Sequence, residues 1–240
     1  MAGKKNDGYW IPLADLMTVL MIIFLFMAIS YMALVQKKQK SIDVILTGWE
    51  DSKNSMISEL NSIFKNDFKK WNMVLDDDMS IKFVNPQALF EVGSEEITPY
   101  YEDILREFFP KYLGVITQKK YLDKIAEIRI EGHTDVFPIT ANGDPYIENM
   151  ELSQGRARNV LGFLRKQPCF TNLSPQQKES VQFWFTANGL SFSRTIDMDG
   201  NLTRKSGKPV VNGRSRRVEF RIITTSDIAI QQAINKISNK

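Results

Sequence analysis

One carboxylate lies inside the most apolar stretch of the chain, a run over residues 11–35 in which Asp15 is the only charged residue. At 1.5 Å per residue this run gives about 37 Å of helix, enough to cross a hydrocarbon core of about 30 Å. An ionised aspartate in the bilayer costs roughly 2.5 to 3.5 kcal/mol on insertion scales, so such residues normally face a protein interior or an ion path. Asp15 is therefore a candidate ion carrier, and a helix cap at headgroup depth is the alternative.

Thr18 stands one helical turn after Asp15 and has two possible roles. Its hydroxyl could donate a hydrogen bond to the carboxylate or coordinate sodium, but a threonine in a membrane helix more often bonds its own backbone. A carboxylate in a partly dry site can alternate between neutral and charged forms as a proton arrives and leaves. Nothing else here resembles a cation cage, so we expect a transported proton rather than sodium.

Other kinds of chemistry have little support in the sequence. Cys169 is the single cysteine and His133 the single histidine, which excludes an intrachain disulfide and multi-cysteine or histidine-rich metal sites. We expect His133 to hydrogen-bond its loop rather than bind a metal. No nucleophile–base pair, metal-ligand cluster or phosphate loop is visible, so no enzyme and no cofactor are predicted. The 31 basic and 28 acidic residues are mixed along the chain, so no direct nucleic-acid partner is expected.

The turn Asp197-Met198-Asp199-Gly200-Asn201 superficially resembles the start of a calcium loop. The position of the closing glutamate falls on Lys208, so the segment is interpreted as a hairpin turn instead.

The elements that must position these residues can be predicted from periodicity. The apolar block is too long for a signal peptide and lacks a small-x-small cleavage site, so it is kept as a membrane helix. Residues 41–71 have apolar residues at helical spacing, which predicts amphipathic helices that pack on the following domain, pair with a second copy or plug a channel mouth.

A solvated acidic turn comes next, at 76–78. Strands are predicted at 81–85, 125–131, 185–188 and 217–222, and helices at 98–118 with an interruption near Pro110, at 149–166 and at 175–184.

Three blocks in this region resemble the signature of the OmpA-like peptidoglycan-binding domain. They are Glu131-Gly132-His133-Thr134-Asp135, Leu152-Ser153-Gln154-Gly155-Arg156-Ala157 and Gly213-Arg214-Ser215-Arg216-Arg217-Val218-Glu219. At the N-terminus, Trp10 with Ala14-Asp15-Leu16-Met17-Thr18 resembles the membrane helix of MotB-type stator subunits. The compact N-terminus, the brief helical connector and a lengthened loop at 136–148 look most like the ZorB branch, from Zorya anti-phage systems.

The resemblance implies an α/β (α+β) chain with a single N-terminal transmembrane helix, a helical connector and an OmpA-like β-α-β-α sandwich domain. The expected divisions are a cytoplasmic N-terminus at 1–10, the transmembrane helix at 11–35, a connector or plug-like segment at 36–78, the domain at 79–224 and a tail at 225–240. The N-terminus would lie in the cytoplasm and the domain in the periplasm, with the chain crossing the bacterial inner membrane once.

The resemblance also implies the roles of residues in the second half. Asp135 and Arg156 match the aspartate and arginine that clamp the diaminopimelate of peptidoglycan in this family. A ligand that carries both an ammonium and a carboxylate requires an anion and a cation held apart, and arginine offers a planar fork. A plain Asp135–Arg156 salt bridge is the alternative. The remaining expected peptidoglycan-binding residues are Asn149, Leu152, Arg214 and Arg217. Arg214, Arg216 and Arg217 all match the terminal basic motif of the family; one of the three could reach the groove, and the alternative is that they brace the sheet.

A stator resemblance implies a homodimer of this chain inside a ring of five MotA/ZorA-like multi-pass subunits in the lipid bilayer. Proton flow past Asp15 and Thr18 would then drive the ring while the domain holds peptidoglycan, in Zorya-type anti-phage defence. Two alternatives remain open: a flagellar or gliding motor stator subunit, and a passive membrane-tethered peptidoglycan anchor without ion flux.

Overall fold

The computed structural model describes residues 10–84, 89–137, 139 and 143–238. Most of the predicted cytoplasmic N-terminus, the strand end predicted at Asn85 and the middle of the 136–148 loop lie outside these residues. Contacts divide the chain into two compact units, Met1–Glu50 and Asp51–Lys240, which are described separately.

The first unit holds the beginning of a helix, α1, that spans Trp10–Phe64. Within it, the 29 residues Pro12–Lys40 have a mean hydropathy of 2.5 and are long and apolar enough to cross a membrane. Every side chain from Pro12 to Lys40 is exposed in the single chain. Such a surface suits contact with lipid or with other membrane helices, as the sequence predicts.

The second unit combines a five-stranded sheet with helices, which confirms the predicted α+β class. Over the described residues the elements that come after α1 are α2 (Asp67–Lys70), β1 (Met73–Leu75), β2 (Ser80–Phe83), α3 (Pro99–Ile116), α4 (Lys119–Leu122), β3 (Ile125–His133), α5 (Pro145–Arg165), α6 (Pro168–Thr171), α7 (Pro175–Trp184), β4 (Phe185–Gly189), α8 (Thr203–Ser206), α9 (Asn212–Ser215), β5 (Arg217–Thr224) and α10 (Thr225–Ser238).

The sheet has the strand order β1-β2-β5-β3-β4, with β3 and β4 parallel and the other pairs antiparallel. Ile130 of β3 lies opposite Phe220 of β5, and Glu131 lies opposite Glu219. Because side chains alternate along a strand, Ile130 and Phe220 share the apolar face, while Glu131 and Glu219 share the other. The two faces therefore differ in chemistry: one carries the core and the other carries charges.

The core is centred on aromatic side chains beneath α3. The ring of Phe108 lies 5.1 Å, centroid to centroid, from the rings of Phe64, Phe83 and Phe220. Helix α3 begins where predicted, because Thr98 caps it by accepting a hydrogen bond from Tyr101 N and Pro99 occupies its first turn. The interruption predicted near Pro110 was wrong, since the helix continues to Ile116.

The C-terminal part of α1 belongs to this core. Met56, Leu60 and Phe64 are each at most 1% exposed. On the neighbouring surface, Glu59 accepts hydrogen bonds from Gln118 Nε2 at 2.8 Å and Tyr121 Oη at 3.0 Å. Within residues 51–71, the helical segment therefore packs on the domain, and the buried core begins well before the predicted boundary at residue 79.

Leu60→Ala is expected to destabilise the second unit by about 2 to 5 kcal/mol, because it removes a fully buried side chain and leaves a cavity. Ile63→Ala, one turn away on the same helix at a side chain that is 40% exposed, is the matched control and is expected to cost about 1 kcal/mol or less. Urea unfolding of the detergent-solubilised chain, monitored by tryptophan fluorescence, measures both. Equal small losses would show that this helical segment does not belong to the core.

Candidate functional site

A groove of about 370 Å³ opens where β3 ends, between the first turns of α5 and the loop after Phe90. Charged and apolar side chains share its walls. The lining residues are Phe90, Glu91, Val92, Gly93, Thr134, Asp135, Phe137, Ile139, Asn149, Leu152, Arg156 and Arg216. The structure thus brings together four of the residues that the sequence assigned to peptidoglycan, namely Asp135, Asn149, Leu152 and Arg156.

Asp135 is the anion of the groove and is 5% exposed. Its Oδ2 accepts a hydrogen bond from Arg216 Nη1 at 2.6 Å, as part of an ion pair. Its Oδ1 accepts from the backbone N–H of Phe137 at 3.2 Å. The Asp135 carboxylate therefore anchors the start of the loop that comes after β3 and also forms an ion pair with Arg216.

Arg156 is the buried cation of the groove, with 7% exposure. Its Nε donates to Ser94 O at 2.9 Å and its Nη2 to Glu91 O at 3.2 Å, while its guanidinium carbon lies 4.9 Å from the centre of the Phe90 ring. Burial, with the nearby charge of Arg216, lowers the pKa of Arg156 to about 10, which leaves it charged at neutral pH.

The plain Asp135–Arg156 salt bridge was a wrong alternative. Asp135 pairs with Arg216 instead, and Arg156 is held by backbone carbonyl groups. Asp135 and Arg156 are therefore held by different partners and do not pair with each other.

Asn149 has a positioning role. Its Nδ2 donates to Phe137 O and to Pro145 O, both at 2.9 Å. These bonds tie the two ends of the lengthened loop to the first turn of α5. That helix begins at Pro145 rather than at the predicted Asn149, because Asp144 caps it by accepting from Tyr146 N.

Two glycines let α5 approach the sheet closely enough to place Arg156. A Cβ atom added to Gly132 of β3 would lie 2.2 Å from Ser153 O, and one added to Gly189 of β4 would lie 2.5 Å from Gln154 N. Gln154 also accepts from Gly189 N at 2.6 Å. Any larger residue would force the helix, and Arg156 with it, away from the strands.

Arg214 and Arg217 do not line the groove, so their prediction as groove residues was wrong. The terminal arginine that lines the groove is Arg216. Arg214 Nη1 donates to Met198 O, and Arg217 is 4% exposed with its Nε donating to Glu219 Oε1 at 2.5 Å. Both line a different cavity, beside β1 and β2. They brace the polar face of the sheet and the neighbouring loop, the alternative that the sequence left open.

His133 forms part of a buried polar cluster with Glu131 and Glu219. Its Nε2 lies 3.6 Å from Glu131 Oε2 and 3.7 Å from Glu219 Oε1, and among the described residues neither ring nitrogen has a hydrogen-bond partner. The predicted hydrogen bond from His133 to its loop was therefore wrong. These three side chains have metal-ligand chemistry, but Arg217 and Arg221 already oppose the two carboxylates. The two arginines balance the charge of the two carboxylates, so a divalent cation would find no net negative charge in this cluster.

Two pKa values in this cluster are lowered, one chiefly by burial and the other by neighbouring charge. Burial, together with Arg217, lowers the pKa of His133, which favours the neutral imidazole. For Glu219, burial acts to raise the pKa, yet the charge of Arg217 and, further off, that of Lys82 outweigh it and lower the value to about 2. The Glu219 carboxylate is therefore ionised against Arg217, beside a histidine whose neutral form is favoured.

In the first unit, Asp15 and Thr18 lie three residues apart, on one face of α1. Thr18 Oγ1 donates to Ala14 O at 2.8 Å, the backbone bond that is most common for a threonine in a membrane helix. Its hydroxyl hydrogen is therefore not directed to the Asp15 carboxylate.

The suspected calcium loop is a hairpin turn, as predicted. Ile196 and Leu202 form an antiparallel bridge across it. Asp197 Oδ1 accepts from the backbone N–H groups of Asp199 and Asn201, both at 2.9 Å. The first carboxylate is thus used in closing the turn.

Comparison with known proteins gives the family. No protein-family model matches the chain. Zorya protein ZorB of Escherichia coli strain ATCC 8739 is 34% identical over 235 residues, which cover 97% of this chain and 94% of that protein. Zorya protein ZorB of Escherichia coli O139:H28 is 26% identical over 224 residues, 92% of this chain and 82% of that protein. The chain therefore belongs to the ZorB family.

More distant similarities extend to motility proteins. Motility protein B of Escherichia coli K12 is 33% identical over 86 residues, which cover 35% of this chain and 25% of that protein. A solved MotB-like protein from Desulfovibrio vulgaris is 20% identical and covers 74% of this chain and 98% of its own, with a TM-score of 0.49.

Proposed function

We propose that this chain is the B subunit of an inner-membrane, ion-driven stator complex that is anchored to peptidoglycan and acts in Zorya-type anti-phage defence. The observation that carries the proposal is the 34% identity to a ZorB protein over 97% of the chain. The relatives carry no enzymatic name, and we expect a mechanical rather than a catalytic role.

Anchoring is assigned to the groove of the second unit. A diaminopimelate residue presents an ammonium and a carboxylate at one end. Asp135 attracts the ammonium, while Arg156 and Arg216 attract the carboxylate. Arginine has five N–H donors, and the carbonyl bonds of Arg156 use two of them, so donors remain for a ligand. Leu152 supplies an apolar contact for the methylene chain.

Ion conduction is assigned to Asp15. A single helix cannot enclose a carboxylate, and the side chains around Asp15 are exposed in the single chain. The path therefore needs other helices. We propose a dimer of this chain surrounded by five MotA/ZorA-like multi-pass subunits. One elementary charge that crosses 100 mV releases about 2.3 kcal/mol, which can drive a conformational step in that ring. We propose a proton rather than sodium as the transported ion, because the sequence around Asp15 offers nothing that resembles a cation cage.

Peptidoglycan lies outside the bacterial inner membrane, so the groove must be periplasmic if it binds the wall. The N-terminus then lies in the cytoplasm, and the span Pro12–Lys40 crosses the membrane once.

A gene-deletion test separates defence from motility. Bacteria that carry this gene with its native neighbours should resist phage, and an in-frame deletion should restore plating to the level of cells without the system. Supplying the gene in trans should recover resistance. Because one segment is 33% identical to Motility protein B, swimming in soft agar is the second readout. Loss of swimming without any loss of resistance would favour a motility stator.

A further inference from the structure

We propose that His133 makes the affinity of the groove for peptidoglycan depend on pH, with weaker binding when the surroundings become acidic. This inference rests on the proposed function of the groove as a peptidoglycan site. A protonated imidazole competes with Arg217 for the Glu219 carboxylate, and the start of β5, which carries Arg216 into the groove, then loses its support. His133 thus acts on the groove from behind and is not part of its wall.

The buried polar cluster lies next to the groove in the sheet. His133, the last residue of β3, lies opposite Arg217, the first residue of β5. Just beyond this last pair of the ladder, Asp135 and Arg216 form the ion pair of the groove. Both strands therefore lead from the cluster to the groove, so a displacement of His133 or Arg217 also moves the residues that contact the ligand.

One carboxylate oxygen connects His133 to the support of β5. Glu219 Oε1 accepts a hydrogen bond from Arg217 Nε at 2.5 Å and lies 3.7 Å from His133 Nε2. All three side chains belong to residues that are at most 4% exposed, so bulk water does not replace a lost partner. A neutral imidazole leaves this oxygen to Arg217, whereas an imidazolium attracts it.

The charged groups that face His133 are balanced before it takes up a proton. They come from β3, β5 and, at longer range, β2, and they are Glu131, Arg217, Glu219, Arg221 and Lys82. The segment between β4 and β5 adds the backbone carbonyl groups of Arg194 and Ser215, which accept from Arg217. Lys82 is paired with Asp76, and the two arginines offset the two glutamates. A proton on His133 therefore adds a buried positive charge without a counter-ion.

The direction of the pH effect follows from this environment. Burial, together with the charge of Arg217, lowers the pKa of His133, so the imidazole is neutral at neutral pH and accepts a proton only as the pH falls. The arrangement in which Arg217 holds Glu219 is therefore complete at neutral pH and is lost on acidification. Affinity for peptidoglycan falls in the same direction.

Binding of one soluble muropeptide at two pH values tests the inference. The probe is a tripeptide muropeptide that ends in diaminopimelate, and the full chain is used in detergent. Calorimetry at about pH 7.5 and about pH 5.5, on either side of the histidine titration, should give roughly three- to tenfold weaker binding by the wild-type chain at the lower pH. His133→Gln has no titratable group at this position and should bind with nearly the same affinity at both.

A second measurement needs no variant, because His133 is the single histidine of the chain. The NMR signal of selectively labelled histidine therefore follows the titration of this residue alone. Binding and protonation are reciprocally linked, so the muropeptide should lower the pKa of His133 if protonation weakens binding. A pKa that stays unchanged or rises when the muropeptide is added would overturn the inference.

Arg129→Gln is the matched control. Arg129 lies on the same face of β3 and pairs with Glu127 at 2.8 Å, and arginine does not titrate in this interval. This variant should keep the pH dependence of the wild type. Parallel pH profiles for the wild type and His133→Gln would overturn the role of His133 and leave peptidoglycan anchoring intact. Failure of the wild-type chain to bind the muropeptide at the higher pH would overturn the proposed anchoring itself.

Discussion

Asp15→Asn is expected to reduce phage protection to the level of cells without the system. The amide keeps the size of the side chain and one acceptor oxygen, but it has no carboxyl group that could take up and release a proton. If the carboxylate is the carrier, its loss stops ion flow and removes the energy of about 2.3 kcal/mol per charge and 100 mV that drives the partner ring. Plating efficiency at matched expression measures the effect, with membrane fractions blotted to show that the variant is still inserted.

Asp43→Asn is the matched control, because Asp43 lies on the same helix beyond the apolar span and is exposed. It should protect as well as the wild type does. A passive tether would tolerate the loss of a carboxylate from the membrane segment. Full protection by Asp15→Asn would therefore support the tether over the ion-driven stator.

Asp135→Asn should weaken binding to purified peptidoglycan sacculi by roughly ten- to a hundredfold, the cost of losing a hydrogen bond to a charged group in a buried site. The amide carries no charge to attract an ammonium, and it leaves Arg216 without its ion-pair partner. Co-sedimentation of the detergent-solubilised chain with sacculi measures the loss.

Asp199→Asn is the control for this prediction. Asp199 pairs with Lys208 at 2.6 Å in the exposed hairpin turn, where an ion pair contributes little. It should bind sacculi within about twofold of the wild type. Unchanged binding by Asp135→Asn in a chain that melts at the wild-type temperature would contradict the assignment of the groove.

The convergence of Asp135 and Arg156 could be predicted, because Asp135 comes soon after a strand and Arg156 lies on the helix that follows. Local signals such as Thr98 followed by Pro99 also predicted where α3 begins. These features depend on spacing and capping, which the sequence carries directly. The close approach of α5 to β3 was not predicted, although Gly132 is a signal that could have indicated it.

Which of the terminal arginines reaches the groove depends on the residue at which β5 begins, and the sequence did not reveal that residue. Successive side chains of extended backbone point to opposite sides, and Arg216 has extended backbone where it leads into β5, so the side chains of Arg216 and Arg217 diverge. Arg217 begins β5 on the face that carries Glu219, whereas Arg216, in extended backbone just before the strand, pairs with Asp135 in the groove. A shift of one residue would exchange the two roles.

The short strand β1 was missed because its three residues, Met73–Leu75, are too few for alternation to show. Only its pairing with β2 defines it as a strand. Such an edge strand is specified by its neighbour rather than by its own pattern.

Proton flux through the reconstituted complex tests the central claim most directly. Liposomes that contain this chain with its multi-pass partner would be given a potassium diffusion potential, and a pH-sensitive dye would report proton entry. The ion-driven stator predicts potential-dependent acidification with the wild-type chain and none above the empty-liposome rate with Asp15→Asn. Equal flux in the two preparations, or no flux above the empty-liposome rate with the wild type, would contradict Asp15 as the proton carrier of this complex.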